Sequence, residues 1–167
     1  MKIAIDSCSI ILLAKATVLE SLANEHKLFI TGKVYWEVLK GKDKNFADAL
    51  LTERLVKEKK IIVKKDAINS LTKKIKQDFN LGVGEAGTLA LVMNNQCEAV
   101  ITDNKQGRKA ALIYKLNLAG SIDVVTALYK LKIMDRHKAI EGLKKLREFG
   151  WFQDYLIDNA LEEIKNA

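Results

Sequence analysis

Residues 1–10 read MKIAIDSCSI, an apolar ramp that ends on a carboxylate, Asp6, followed by a hydroxyl, Ser7. KIAI has the length and composition of a short buried strand. The SIILLAKATVLESLANEH behind it carries apolar residues at helical spacing. An aspartate at such a junction has two readings. It can cap the helix that follows, or it can be the first ligand of a metal site, and only partners elsewhere in the chain can decide.

Working outward, KLFIT (27–31), KIIVKK (60–65) and EAVITD (98–103) read as further strands, and NLAGSID (117–123) as a weak fifth strand or turn. Helical patterns lie between them. GKVYWEVLKG (32–41) reads as a short helix closed by Gly41. KNFADALLTERLVKEKK (44–60) is amphipathic, with Phe46, Leu50, Leu51 and Leu55 on one face. DAINSLTKKIKQDFN (66–80) is opened by Asp66 as N-cap, and LGVGEAGTLALVMNNQ (81–96) has a glycine-rich start and a strongly apolar body. NKQGRKAALIYKLN (104–117) is basic. VVTALYKLKI, DRHKAIEGLKKLREFG and WFQDYLIDNALEEIKNA form a terminal run of helices. Strands separated by helices predict an α/β fold with three layers, α/β/α, around a mostly parallel sheet of four to five strands. No repeat or linker interrupts the chain, so residues 1–167 read as one domain, with 135–167 a C-terminal helical extension.

The bulk numbers narrow the class. Of 167 residues, 49% are hydrophobic and 29% charged, which is a globular rather than a disordered balance. Asp6 and Lys15 interrupt the first apolar stretch too early for a signal peptide, and no run nears the ~20 apolar residues of a membrane span. The expectation is a cytoplasmic protein with no membrane association. The net charge of +7 favours a polyanionic partner or a solvated, lysine-rich surface with none. Cys8 and Cys97 lack metal-ligand spacing and read as reduced cysteines in or near the core; His26 and His137 read as surface residues. With no proline, turns fall to the nine glycines and to Asn and Asp. Tyr35, Trp36, Trp151, Phe152 and Tyr155 read as core by default, or as an interface.

The acids carry the functional signal. In parallel α/β sheets, functional groups gather at the carboxyl ends of strands. Asp6 and Asp103 each stand there, after an apolar run and before a helix. On neighbouring strands they would repel one another unless a cation lay between them. Glu37 is the sole acid in an apolar and aromatic short helix, and Glu85 sits in the first turn of an apolar one. Each also has a plain reading: a cap, a helix-dipole partner or a surface glutamate. Four acids placed where one site could form shift the balance toward a shared role.

Their context carries a resemblance. The opening hhhhDSxxhhxLAK (h, apolar), Glu37 in VxxEVL, GxGEAxTLAL and VITDNxxGRKAA together resemble a PIN-domain ribonuclease, nearest to VapC-type toxins and related small prokaryotic proteins. The likeness runs to about residue 134. It implies that Asp6, Glu37, Glu85 and Asp103 form a catalytic, metal-binding quartet for Mg²⁺ or Mn²⁺, hard cations that favour oxygen ligands. It implies supporting roles for Ser7, Thr102 and Asn104, the last standing where many relatives carry another acid. The activity implied is metal-dependent hydrolysis of RNA, with an antitoxin and a second copy of the chain as partners. Lys105, Arg108 and Lys109 follow Asp103 and are candidates to contact RNA phosphates. Asp123 reads as a helix N-cap rather than a ligand.

Other uses of a strand-end aspartate fail on residues. A haloacid-dehalogenase phosphatase needs an aspartate where Cys8 stands, and a receiver domain needs a phosphoacceptor where KIIVKK offers lysines. GVGEAG lacks the Lys-Ser/Thr of a P-loop. The remaining rival is a catalytically weak PIN-like module that binds nucleic acid or protein.

Overall fold

The computed structural model describes residues 1–42, 46–66 and 69–167. Five parallel strands, β1 (Lys2–Ile5), β2 (Lys27–Thr31), β3 (Ile61–Lys64), β4 (Ala99–Ile101) and β5 (Leu118–Ala119), form one sheet in the order β3-β2-β1-β4-β5. The helices are α1 (Ser7–Lys15), α2 (Leu19–Glu25), α3 (Gly32–Leu39), α4 (Ala47–Lys57), α5 (Ser70–Phe79), α6 (Val83–Met93), α7 (Lys105–Ile113), α8 (Ser121–Lys130), α9 (Arg136–Phe149) and α10 (Asp154–Asn166).

The two-residue period of the strands sorts their side chains onto two cores. Ile3, Ile5, Leu28, Ile30, Ile61 and Ile101 face a cluster shared with α1, α2, α3, α4, α8, α9 and α10. Ala4, Phe29 and Val100 face the other, shared with α5, α6 and α7. Both faces are therefore covered, which explains why the strands read as continuous apolar runs. The expected three-layer α/β/α architecture is present. The terminal helices belong to the first core: Leu143, Leu146, Ile157 and Ile164 are fully buried there.

Strand order positions the site. The chain builds the sheet outward from β1 to β3, then returns to add β4 and β5 on the other side. The direction of winding reverses between β1 and β4, where Ile5 pairs with Ile101. Beyond a reversal of this kind the connecting loops splay apart and leave a crevice. Asp6 and Asp103 follow the two strands that border it.

Several local expectations change. The helix read over 9–26 is two helices bent by 112°, broken at Thr17, whose φ of 60° no continuing helix tolerates. Among the described residues no single helix is long and apolar enough to cross a membrane. No described glycine takes a positive φ; Asn80, Asn95, Lys59, Lys115 and Lys132 take it instead, each just after a helix or one residue beyond its cap. Gly41 is thus no left-handed terminator, and α3 is capped by Lys40. In α4 the buried face is Ala49, Thr52 and Leu55, whereas Phe46 and Leu50 are exposed; residues 44–45 of that predicted helix lie outside the described ones.

Asn69, not Asp66, caps α5 by accepting from Thr72 N–H, and residues 67–68 lie outside the described ones. Asp66 instead accepts from the Lys33 amide at the start of α3 (3.1 Å). Asp123 is the third residue of α8 rather than its cap, and reaches back to the Gly120 amide (2.7 Å). Cys97 is buried but Cys8 is exposed, because α1 turns it outward. His137 is exposed, whereas His26 has a buried Nδ1 with no hydrogen-bond partner among the described residues, and burial holds its imidazole below the usual range. Trp36, Trp151 and Tyr155 are exposed rather than core.

Candidate functional site

Asp6 is both cap and end of strand. Its Oδ1 accepts from the Ser9 amide (2.8 Å), which closes the first turn of α1, and its Oδ2 accepts from the Thr102 hydroxyl at the end of β4. The side chain is 1% exposed. Burial, opposed by the donors Thr102 and Ser9 and reinforced by the charge of Asp103, pushes its carboxyl up to about 6.

Asp103 lies one residue past Thr102 and is held by two serines. Ser9 Oγ donates to its Oδ2 (2.7 Å) and accepts from its backbone amide (3.0 Å). The Ser121 amide donates to Oδ1 (2.8 Å) and the Ser121 hydroxyl to Oδ2. Glu85, on α6, accepts from its own helix's Gly82 amide (2.8 Å) and from Asn104 Nδ2 (2.7 Å). The Asn104 amide in turn donates to Thr102 Oγ1 (3.2 Å), and Asn104 Oδ1 caps α7 through the Gly107 amide (2.8 Å).

One continuous chain of hydrogen bonds therefore runs Glu85–Asn104–Thr102–Asp6–Ser9–Asp103–Ser121. It crosses the switch point and ties together the starts of α1, α6, α7 and α8. Helix N-termini favour negative charge by about 0.3–1 kcal/mol each, which offsets part of the repulsion among the carboxylates. Glu37 stands beside this chain. Its Oε2 accepts from Ser7 Oγ (2.8 Å), next in sequence to Asp6, and Lys33 lies 3.9 Å from its Oε1. Gly84 makes that approach possible, since a Cβ there would meet Val34 at 3.2 Å and Glu37 Oε2 at 3.3 Å.

The donors to Asp6, Glu85 and Asp103 described above are all neutral, so their charge is oriented rather than cancelled. Cys8 registers the result: although the residue is exposed overall, desolvation of its sulfur by the surrounding protein, then the charges of Asp6, Asp103 and Glu85 together, push its thiol up to about 12. Three carboxylates acting on one sulfur share one electrostatic neighbourhood.

The donor set is oxygen only, and each carboxylate retains lone pairs beyond the hydrogen bonds it accepts. Its chemistry fits Mg²⁺ or Mn²⁺ rather than a softer metal. Among the described residues, however, no three His, Cys, Asp or Glu side chains are drawn together into a ready-made chelating group.

The basic residues separate. Arg108 reaches the site: its Nη1 donates to the Thr102 carbonyl (3.3 Å), and a Cβ at Gly120 would meet Arg108 Nη1 at 2.6 Å and Asp103 Oδ1 at 2.9 Å. Lys105 lines a cavity with Asp103 and Arg108, whereas Lys109 is exposed and does not border it.

Ser9 and Ser121 escaped the sequence reading. Ser9 carried a usable signal, since it stands three residues after a helix-capping aspartate. Ser121 carried none, because its role depends on where β5 delivers the chain. The corner between α9 and α10 was also missed as part of the site. Trp151 and Phe152 border cavities on both sides of Asp103.

Compared with known protein families, residues 2–166 match one described as a PIN domain. No curated protein and no solved structure matches the chain.

Proposed function

The chain belongs to the PIN-domain family, and from that premise we propose that the acids at the β1/β4 switch point form the centre of a metal-dependent nuclease acting on RNA. The observation that carries the reading is the hydrogen-bond chain from Glu85 to Ser121, which fixes three carboxylates at one sheet edge without neutralising them. Asp6, Glu85 and Asp103 are the residues that would hold Mg²⁺ or Mn²⁺, with Glu37 beside them.

When bound, the cation would lower the pKa of water and offset charge on the phosphate undergoing displacement. The protein's residues supply the rest. Thr102, Ser9, Ser121 and Asn104 hold the carboxylates in orientation, as partners of metal ligands commonly do. Arg108 and Lys105, beside Asp103, hold the phosphate backbone against an acidic edge that would otherwise repel it. Asn104 serves as a neutral donor to Glu85 where a further acid would add a ligand.

The finer reading is an endoribonuclease of the VapC kind, working in the cytoplasm as a homodimer and held in check by an antitoxin. An open reading frame beside the gene, encoding a small protein that binds this chain, is what that version requires. The core proposal is tested with an end-labelled single-stranded RNA incubated with Mn²⁺, with Mg²⁺ and with a chelator. Internal cleavage that needs the metal is expected; RNA bound but uncut in all three conditions would overturn it.

A further inference from the structure

The segment joining α9 to α10 places aromatic rings beside the acidic edge, and their burial divides them by role. Phe152 is half-buried and packs on the first core. It also lies against Gly150, where a Cβ would meet its ring at 2.3 and 2.6 Å and the Leu146 carbonyl at 2.8 Å. Residue 150 must therefore be glycine for the corner to close. The closed corner turns Trp151 fully outward, at 103% relative exposure, with Tyr155 at 57% four residues further on, in the first turn of α10.

Trp151 stands between two cavities. One, of about 470 Å³, is bordered by Asp103, Lys105, Arg108, Trp151 and Tyr155. The other, of about 430 Å³, is bordered by Cys8, Lys15, Asp103, Phe149 and Trp151. Both lie within the range of small-ligand sites. Three acids share the first wall with Lys105 and Arg108: Asp103, held by Ser9 and Ser121; Asp123, which accepts from the Gly120 amide; and Glu163, which pairs with Lys130. Lys105 and Arg108 on that wall, and Lys15 on the other, supply positive charge beside Asp103.

The other exposed tryptophan differs. Trp36 has Lys33 and Lys40 over its ring at 4.2 and 3.7 Å. Among the described residues Trp151 has no such cover, and both faces of its indole are open.

We propose that Trp151, with Tyr155, is a stacking wall for unpaired bases, so that the site takes single-stranded nucleic acid threaded past Asp103. A strand of this kind needs flat aromatic faces for bases and a basic track for phosphates. Both occur here, in the two cavities that Asp103 borders. A duplex keeps its bases stacked internally and has none to offer the indole. The inference rests on the nuclease reading of the adjacent acids, but it predicts binding that needs no metal.

The test uses the full chain in a Trp36→Phe background, which leaves Trp151 as the sole tryptophan. In chelator, so that no cleavage occurs, a single-stranded RNA oligonucleotide is titrated and indole fluorescence followed, alongside the same RNA annealed to its complement. Saturable quenching by the single strand, and much weaker quenching by the duplex, is expected. By fluorescence anisotropy of labelled RNA, Trp151→Ala should weaken binding about 5- to 150-fold, while Trp151→Phe retains most of it. Melting temperatures should hardly change.

Equal binding by wild type and Trp151→Ala would overturn the inference, as would a duplex that quenches as strongly as the single strand. A Trp151→Ala variant that binds RNA normally but loses self-association would make this face a contact between copies instead. Cleavage is read separately with Mn²⁺. A stacking wall on a chain that never cuts refutes the nuclease reading alone, and normal cleavage with an inert Trp151 refutes only the stacking wall.

Discussion

The Thr102 hydroxyl at the end of β4 donates to Asp6 Oδ2 at the end of β1, so two strands distant in sequence are latched across the point where the sheet reverses direction. The latch holds a carboxylate in a nearly water-free position and offers it too few donors to make ionisation easy. Burial raises its pKa to about 6.

Stability in chelator should therefore depend on pH through Asp6. Its folded pKa lies above the unfolded value near 3.8. The contribution of this group is thus fully present below about pH 4 and lost as pH rises through 6. The shift corresponds to about 3 kcal/mol. Chemical denaturation at pH 5 and pH 7.5 should show a gain at the lower pH in wild type that is much smaller in Asp6→Asn. Glu53, Glu58 and Glu141, whose pKa values are lowered mainly by lysine neighbours, act in the opposite sense but equally in both proteins. Identical pH profiles would refute the assignment.

The two aspartates should respond differently to neutralisation. An asparagine at 6 can still accept from the Ser9 amide and can donate to Thr102 Oγ1, so Asp6→Asn should raise the melting temperature in chelator by several degrees. Asp103 accepts from three donors, two of them hydroxyls. Asp103→Asn turns one accepting oxygen into a donor facing them, and should gain nothing or lose stability. A matched rise in both variants would contradict the hydrogen-bond scheme.

Ser9→Ala leaves the Asp103 amide without its partner and removes one donor to the Asp103 carboxylate. The cost should be about 1–3 kcal/mol, seen in urea denaturation. Because Ser9 orients a proposed ligand, calorimetric Mn²⁺ affinity should fall about 10- to 100-fold. Loss of stability with unchanged affinity would make Ser9 purely structural.

Asn104→Asp keeps a good cap for α7 but sets a carboxylate against Glu85 Oε1. In chelator the melting temperature should fall by a few degrees, and Mn²⁺ should restore more in this variant than in wild type. A variant that melts lower and gains no more from Mn²⁺ would show that residue 104 lies outside the metal's reach.

The sequence announced the layers of this fold because its strands are buried on both faces and its helices alternate with them. KIAI and EAVI could be read without knowing their neighbours. What could not be read was pairing: that β1 lies beside β4 depends on long-range packing, and the Asp6–Thr102 latch exists only because of it. The resemblance named all four acids and three supporters, and Ser7, Thr102 and Asn104 each prove to touch one of them. Exposed aromatics were misread for a plain reason. Hydrophobicity predicts burial on average, but Gly150 closes a corner that turns Trp151 outward, and a Cβ clash of this kind leaves no periodic trace.

The central claim is that these acids act as one metal-dependent centre. Its most direct measurement is the rate of single-stranded RNA cleavage in Mn²⁺ by wild type and by Asp6→Asn, with a chelator control and matched melting curves to confirm that both are folded. Cleavage by wild type that vanishes with chelator and falls at least about 100-fold in the variant is the predicted result. Cleavage by Asp6→Asn at the wild-type rate, or by wild type in chelator, would contradict it.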